Sequence, residues 1–156
     1  MLNVLFLCTG NSCRSIMAEG LLKELGKGRF GSFSAGSFPT GKVHPVSLTT
    51  LQRHGISPLG YESKSWDIFK DCTEFHIVIT VCNNAAGEVC PIFPGNPIKA
   101  HWGTPDPAHF QGAPAEIEAE FDCVYGILER RIKALVALPI EKLKDDDLKN
   151  AIGQLA

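Results

Sequence analysis

Leu5-Phe6-Leu7-Cys8-Thr9-Gly10-Asn11-Ser12-Cys13-Arg14-Ser15 joins an apolar, β-prone run at 3–7 to a helical period carried by Ile16, Met17, Gly20, Leu21 and Leu25. A polar turn between a strand and a helix can gather backbone N–H groups on one point, backed by the positive end of the helix dipole. Such a nest binds tetrahedral oxyanions, and its cradle here is Thr9, Gly10, Asn11, Ser12, Cys13 and Arg14. Gly10 allows an unusual backbone conformation and close approach, while Arg14 offers a planar fork to two oxyanion oxygens. The same field stabilises a thiolate at Cys8, whose pKa is expected to fall from about 8.5 into the range of roughly 3.5 to 7.5 found at helix N-termini and beside cations. The bland alternative, in which Cys8 only packs and Arg14 only caps, suits a bare Cys-x5-Arg spacing. It accounts less well for that spacing between an apolar strand and a helix, with glycine, asparagine and serines inside.

Outward from this unit the chain alternates strands and helices. Residues 30–35 read as a second strand, and His44-Pro45 opens a helix through Val46, Leu48 and Leu51 that stops at Gly55. The uninterrupted apolar stretch 75–81 suits a strand buried on both faces of a parallel sheet, and 98–102 is a shorter fourth strand. Between them, 83–97 is a Gly-, Pro- and Asn-rich loop of a length that is commonly functional. Ile117, Phe121, Val124, Leu128, Ile132 and Leu135 then mark a long amphipathic helix over 114–138. The tail 139–156 reads as a peripheral helical appendage of the same domain, with Asp145-Asp146-Asp147 capping it. This pattern predicts a single α/β domain over 1–138 plus that tail, with a parallel sheet and right-handed crossovers.

A chain of 156 residues, 44% hydrophobic and 21% charged, builds one sizeable core without disulfide staples. Its net charge of -2 gives no global attraction for nucleic acid or anionic lipid, so an anion site has to be local. The start of the chain lacks the features of a signal peptide and no apolar run is long enough to span a bilayer, which reads as cytoplasmic. In a reducing compartment, six cysteines point to catalysis, redox exchange or metal binding. Of these, Cys13, Cys72 and Cys123 read as small hydrophobes that pack, since free cysteine is among the most buried residue types.

The stretch Leu5 through Ser15 resembles the signature loop of the low-molecular-weight protein tyrosine phosphatase superfamily, in which the cysteine is the nucleophile, the arginine binds the oxyanion and the following serine hydrogen-bonds the thiolate. The resemblance implies a three-layer phosphotyrosine phosphatase I-like domain with a four-stranded parallel sheet of order 2-1-3-4. It also makes Asp106, in Thr104-Pro105-Asp106-Pro107, the general acid, where two prolines stiffen the backbone. Cys90-Pro91-Ile92, His101-Trp102-Gly103 and the pair Cys82 and Cys90 are similar to the arsenate reductases of this superfamily. By that likeness Cys8, Cys82 and Cys90 form a disulfide relay that reduces arsenate, with Arg14, Ser15 and Asp106 beside Cys8. Parallel strands put Cys8 and Cys82 at the same sheet edge, at a spacing close to the Cα separation a disulfide requires, so that Cys82 reaches Cys8 with modest loop movement. The seven residues between Cys82 and Cys90 exceed the six usual in the thioredoxin-linked pattern, so thioredoxin is the first expectation for the reductant, with glutaredoxin and glutathione close behind. No cofactor is required on this reading. A potassium ion on Asn11, Glu19, Ser34 and Asp67, matching positions in some relatives, completes what the resemblance implies, and a monomer is the expected state of the chain.

Two other readings compete. A plain phosphotyrosine phosphatase needs only Cys8, Arg14 and Asp106, but it leaves Cys82 and Cys90 unemployed and finds Ala108 and His109 where such phosphatases often carry aromatic residues. A zinc module could draw on Cys82, Cys90, His101 and His109, yet the spacing is wider than a zinc knuckle. His44, His54 and His76 read as capping or packing residues.

Overall fold

In the computed structural model, which describes residues 1–69, 74–81 and 97–156, β1 (Leu2–Cys8) runs between β2 (Phe30–Gly36) and β3 (Ile77–Thr80), with β4 (Ile98–His101) beyond β3. All pairings among the described residues are parallel and the order is β2-β1-β3-β4, as expected. Registers Cys8↔Gly36, Leu7↔Thr80 and Thr80↔His101 bring the four C-terminal ends to one edge of the sheet. That edge is where an open parallel sheet binds ligands.

Alternation along the strands decides what covers each face. Val4, Phe6, Cys8, Ile77, Ile79 and Val81 belong to the core shared with α1 (Arg14–Leu25), α2 (Pro45–Arg53), α3 (Pro114–Ala137) and α4 (Asp145–Gly153). Leu5, Leu7, Ala35, Phe75 and Val78 point the other way, against Phe33, Trp66 and Phe69. Phe33, Phe69 and Phe75 meet edge-on at 5.4 to 5.8 Å, a favourable arrangement for aromatic rings.

Local chemistry explains the helix limits. His44 caps α2 by accepting the Val46 N–H on Nδ1, Pro45 occupies the first turn, and Gly55 ends the helix at φ +80°, with Ile56 N–H returning to Leu51 O at 2.9 Å. His54 stacks on Tyr125 at 4.0 Å and His76 Nδ1 accepts the Asn3 N–H, so all three histidines cap or pack as expected.

Three expectations need correction. The helix α4 is not peripheral: Leu148 and Ile152 are buried in the main core, and Ile152 O accepts the indole N–H of buried Trp102 at 3.1 Å. Asp145, Asp146 and Asp147 form its first turn, where their charges favour the positive end of the helix dipole, and the capping position is Lys144. Cys123 is exposed on the outer face of α3, whereas Cys13 is buried as expected and Cys72 lies outside the described residues. Short 3-10 turns at Trp66–Phe69 and Pro107–His109 have no periodic signature and escape a reading by periodicity.

Candidate active site

Cys8 ends β1 with only 2% of its surface exposed, and the chain wraps from there into α1. The loop carbonyls are taken from outside. Ser37 N–H donates to Cys8 O, Phe38 N–H to Thr9 O, Thr40 N–H to Gly10 O and His44 N–H to Ser12 O, all at 2.9 to 3.2 Å. Ser63 and Ser47 hydroxyls add second bonds to Gly10 O and Ser12 O. Because a trans peptide sets its N–H opposite its C=O, turning these carbonyls outward aims the amides of Thr9, Gly10, Asn11 and Cys13 inward. One of them is seen doing so: Asn11 N–H reaches the Cys8 sulfur at 3.2 Å. Ser15 Oγ stands 2.8 Å from the same sulfur. Donors converging on sulfur favour its anionic form.

The left-handed residue of the loop is Asn11, at φ 48°, and not Gly10. Asparagine tolerates this conformation better than most residues. Here its side chain fixes it, since Nδ2 donates to Ser15 Oγ at 2.8 Å and to Ser34 Oγ at 3.0 Å, while Oδ1 accepts the Lys64 N–H at 2.9 Å. With both amide hydrogens given to hydroxyl oxygens, the Ser15 hydroxyl hydrogen is left to point at Cys8 Sγ. Gly36 lets β2 lie against the loop, because a Cβ there would meet Thr9 O at 2.5 Å.

Above the sulfur is a cavity of about 220 Å³ lined by Cys8, Arg14, Thr40, Asp106 and the mostly exposed Phe38. Arg14 donates through Nη1 to Thr104 O at 3.0 Å and pairs through Nη2 with Asp106 Oδ2 at 3.3 Å. Asp106 also accepts the Ala108 N–H at 2.9 Å, which caps the turn Pro107–His109 and holds the carboxylate at the cavity wall. From α3, Arg131 braces this segment by donating to Gly103 O and Thr104 Oγ1, both at 3.1 Å. Cys13 lines the same cavity, but burial pushes its thiol pKa up, with weaker opposing hydrogen bonds from Ser12 and Ser47. The two loop cysteines are therefore in opposite chemical settings.

Behind the loop, Ser34 donates to Glu19 Oε1, and the Lys64 ammonium lies 3.5 Å from Ser34 Oγ and 3.9 Å from Glu19 Oε1. Burial raises the Glu19 pKa against the Ser34 bond and the charges of Lys64 and Lys23, and burial lowers that of Lys64 against Glu19 and Glu62. Asn11, Glu19 and Ser34 are thus brought together and buried, while Asp67 is exposed at the start of the turn Trp66–Phe69. This arrangement does not fit the expected potassium site. Asn11 gives one N–H to Ser34 and the other to Ser15, its Oδ1 is taken by the Lys64 N–H, and an ammonium already stands on Glu19 and Ser34. Among the described residues no group of three or more His, Cys, Asp or Glu side chains gathers to hold a metal.

Cys8, Arg14, Ser15 and Asp106 therefore meet as anticipated, whereas Cys82 and Cys90 lie outside the described residues. The sequence reading missed Lys64, Ser63, Thr104 and Arg131. Of these only Thr104, two residues from Asp106, carried a local signal.

A family profile described as low molecular weight phosphotyrosine protein phosphatase matches residues 3–149. The chain is 38% identical over 130 residues to an arsenate reductase of Halalkalibacterium halodurans, covering 83% of this chain and 91% of that protein. It is similar in structure to an arsenate reductase in the phosphate binding state, with TM-score 0.66, 29% identity, and coverage of 88% of this chain and 98% of the other. It is also similar to a thioredoxin-dependent arsenate reductase of Corynebacterium glutamicum, with TM-score 0.57 and 28% identity, covering 85% of this chain and 62% of that one.

Proposed function

The chain belongs to the low molecular weight phosphotyrosine protein phosphatase family, and from that premise we propose that it is an arsenate reductase working through Cys8, Cys82 and Cys90. The observation that carries this reading is the convergence of the Ser15 and Asn11 donors on Cys8 Sγ beneath Arg14 and Asp106.

Arsenate enters as a tetrahedral oxyanion, meets the inward amides and draws the Arg14 fork to its oxygens. The Cys8 thiolate attacks arsenic, and an oxygen departs as water with a proton from Asp106, leaving a thiol-arsenic adduct. The Cys82 thiolate then attacks the Cys8 sulfur. The sulfur–arsenic bond breaks with its electron pair on arsenic, so arsenite leaves and a Cys8–Cys82 disulfide forms. Cys90 attacks Cys82 in turn, Cys8 is released as a thiol and a Cys82–Cys90 disulfide remains for an external dithiol. Val81, which precedes Cys82 in sequence, donates its N–H to the carbonyl of Leu7, which precedes Cys8, at 2.8 Å. That neighbourhood supports the first exchange.

Thioredoxin is the reductant favoured by likeness to the Corynebacterium glutamicum enzyme, with glutaredoxin the alternative. A reducing cytoplasm suits a chemistry that needs three thiols. Among the described residues no helix is long and apolar enough to cross a membrane. Phosphotyrosine hydrolysis through a phosphocysteine at Cys8 is a second reading that the family match favours.

Intact mass and disulfide mapping after one arsenate turnover without reductant tests the relay. A Cys82–Cys90 bridge with one equivalent of arsenite is the expected product. Cleavage of a phosphotyrosine substrate with no arsenite formed would transfer the assignment to the phosphatase.

A further inference from the structure

The cluster behind the loop contains an unusual occupant. The Lys64 ammonium is one-fifth exposed, contacts Ser34 Oγ and Glu19 Oε1 from one side and donates to Glu62 O at 3.1 Å on the other. Its backbone is pinned at both ends, the N–H on Asn11 Oδ1 and the carbonyl on Gly36 N–H at 2.9 Å. Lys64 is therefore fixed to the loop by its main chain and to the buried carboxylate by its side chain.

We propose that Lys64 is a built-in cation of the oxyanion loop: its ammonium takes the place of a potassium ion against Glu19 and Ser34, and so fixes Asn11 and the amides around Cys8. A carboxylate charge as buried as that of Glu19 is costly unless a positive group stands beside it, and a tethered ammonium is always present where a free ion has to be bound from solution. The chain of contacts from this charge to the reacting sulfur is short: Lys64 to Ser34, Ser34 to Asn11, and Asn11 to Ser15 and Cys8. Lys64 is a positioning residue, since it touches neither oxyanion nor sulfur in this chain of contacts.

Phosphate serves as the probe, so the outcome does not depend on whether arsenate or a phosphoester is the true substrate. Calorimetric phosphate affinity and melting temperature are measured for the unaltered protein, Lys64→Met and Lys64→Gln, each in potassium, sodium and tetramethylammonium chloride at one ionic strength. The unaltered protein should give the same values in all three salts. Both variants should bind phosphate about ten-fold or more weakly in tetramethylammonium, a typical size for coupling between sites. Potassium should restore their affinity and melting temperature better than sodium does. A potassium response in the unaltered protein would overturn the proposal even if neither variant folds. So would variants that bind phosphate normally in tetramethylammonium, or that fold yet gain nothing from potassium.

Discussion

The two sides of the oxyanion loop are built on different plans. The face toward the cavity comes mostly from Cys8 to Gly10 and Ser12 to Arg14, joined by Phe38, Thr40, Asp106 and Ala108, and a strand-to-helix turn is enough to assemble most of it. The face away from the cavity depends on Asn11, Glu19, Ser34 and Lys64, which come from the loop, α1, β2 and the segment after α2. The first face supplies chemistry and the second supplies a fixed shape. Loss of the first should stop the reaction while leaving the fold intact, and loss of the second should cost both stability and rate.

The largest effect is expected at Cys8. Cys8→Ser keeps a group that can accept from Ser15 and Asn11 but removes the nucleophile, so kcat/KM for arsenate should fall by roughly 10⁴-fold or more. Thermal unfolding should change little and phosphate should still bind. A serine variant retaining more than about one hundredth of the turnover would mean that the cavity face is not where the reaction occurs.

This division also explains what was legible in the sequence. The parallel sheet, its site edge and the pairing of Cys8 with Arg14 follow from local patterns: an apolar run, a glycine-containing turn and a helical period, whereas the strand order and the role of Ser15 come from the family likeness. Asp106 became legible only through family likeness, because an aspartate before proline is ordinary by itself. Lys64 and Arg131 were silent, since a lone lysine after a turn or an arginine on an amphipathic helix reads as a solvated side chain until tertiary contacts place it. Even within the loop, the sequence pointed to Gly10 as the unusual backbone, and the structure gives that role to Asn11, whose side chain is held by three hydrogen-bond partners. Packing also overruled polarity in α4, where Leu148 and Ile152 pull a charged segment onto the core.

A smaller, two-part effect is expected at Asn11. Asn11→Ala removes three side-chain hydrogen bonds and leaves a β-carbon residue in left-handed backbone, which should destabilise the fold by about 2–4 kcal/mol. Asn11→Gly loses the same bonds but relieves the backbone strain, so it should recover about 1 kcal/mol of that loss without regaining rate. Both variants should be roughly 10- to 100-fold slower, because the amides and Ser15 are no longer held on the sulfur. Urea unfolding beside kcat/KM separates the two parts. Equal stability of the alanine and glycine variants would remove backbone strain from the account, and unchanged rates would deny that the rear face sets the geometry of the front.

The smallest effect is expected on the far side of α2, where Asp122 receives Arg53 Nη2 at 2.6 Å and His54 Nε2 at 3.2 Å. Burial alone would raise the Asp122 pKa, but the hydrogen bonds and charges of Arg53 and His54 outweigh it and hold the carboxylate below its ordinary range. A carboxylate with a depressed folded pKa contributes stability that is complete above its unfolded value, near 3.9, and is lost as the pH falls through the folded value. With the Asp122 side chain 43% exposed, solvent screening limits the contribution to less than about 1 kcal/mol. Asp122→Asn should therefore lower the melting temperature slightly at neutral pH, and the gap from the unaltered protein should close as the pH drops below about 4. Phosphate affinity and arsenate turnover should be unchanged throughout, because no contact of this surface pair reaches either face of the loop among the described residues. A gap that persisted in acid would assign the effect to packing of the Asp122 side chain and leave its charge without a role in stability.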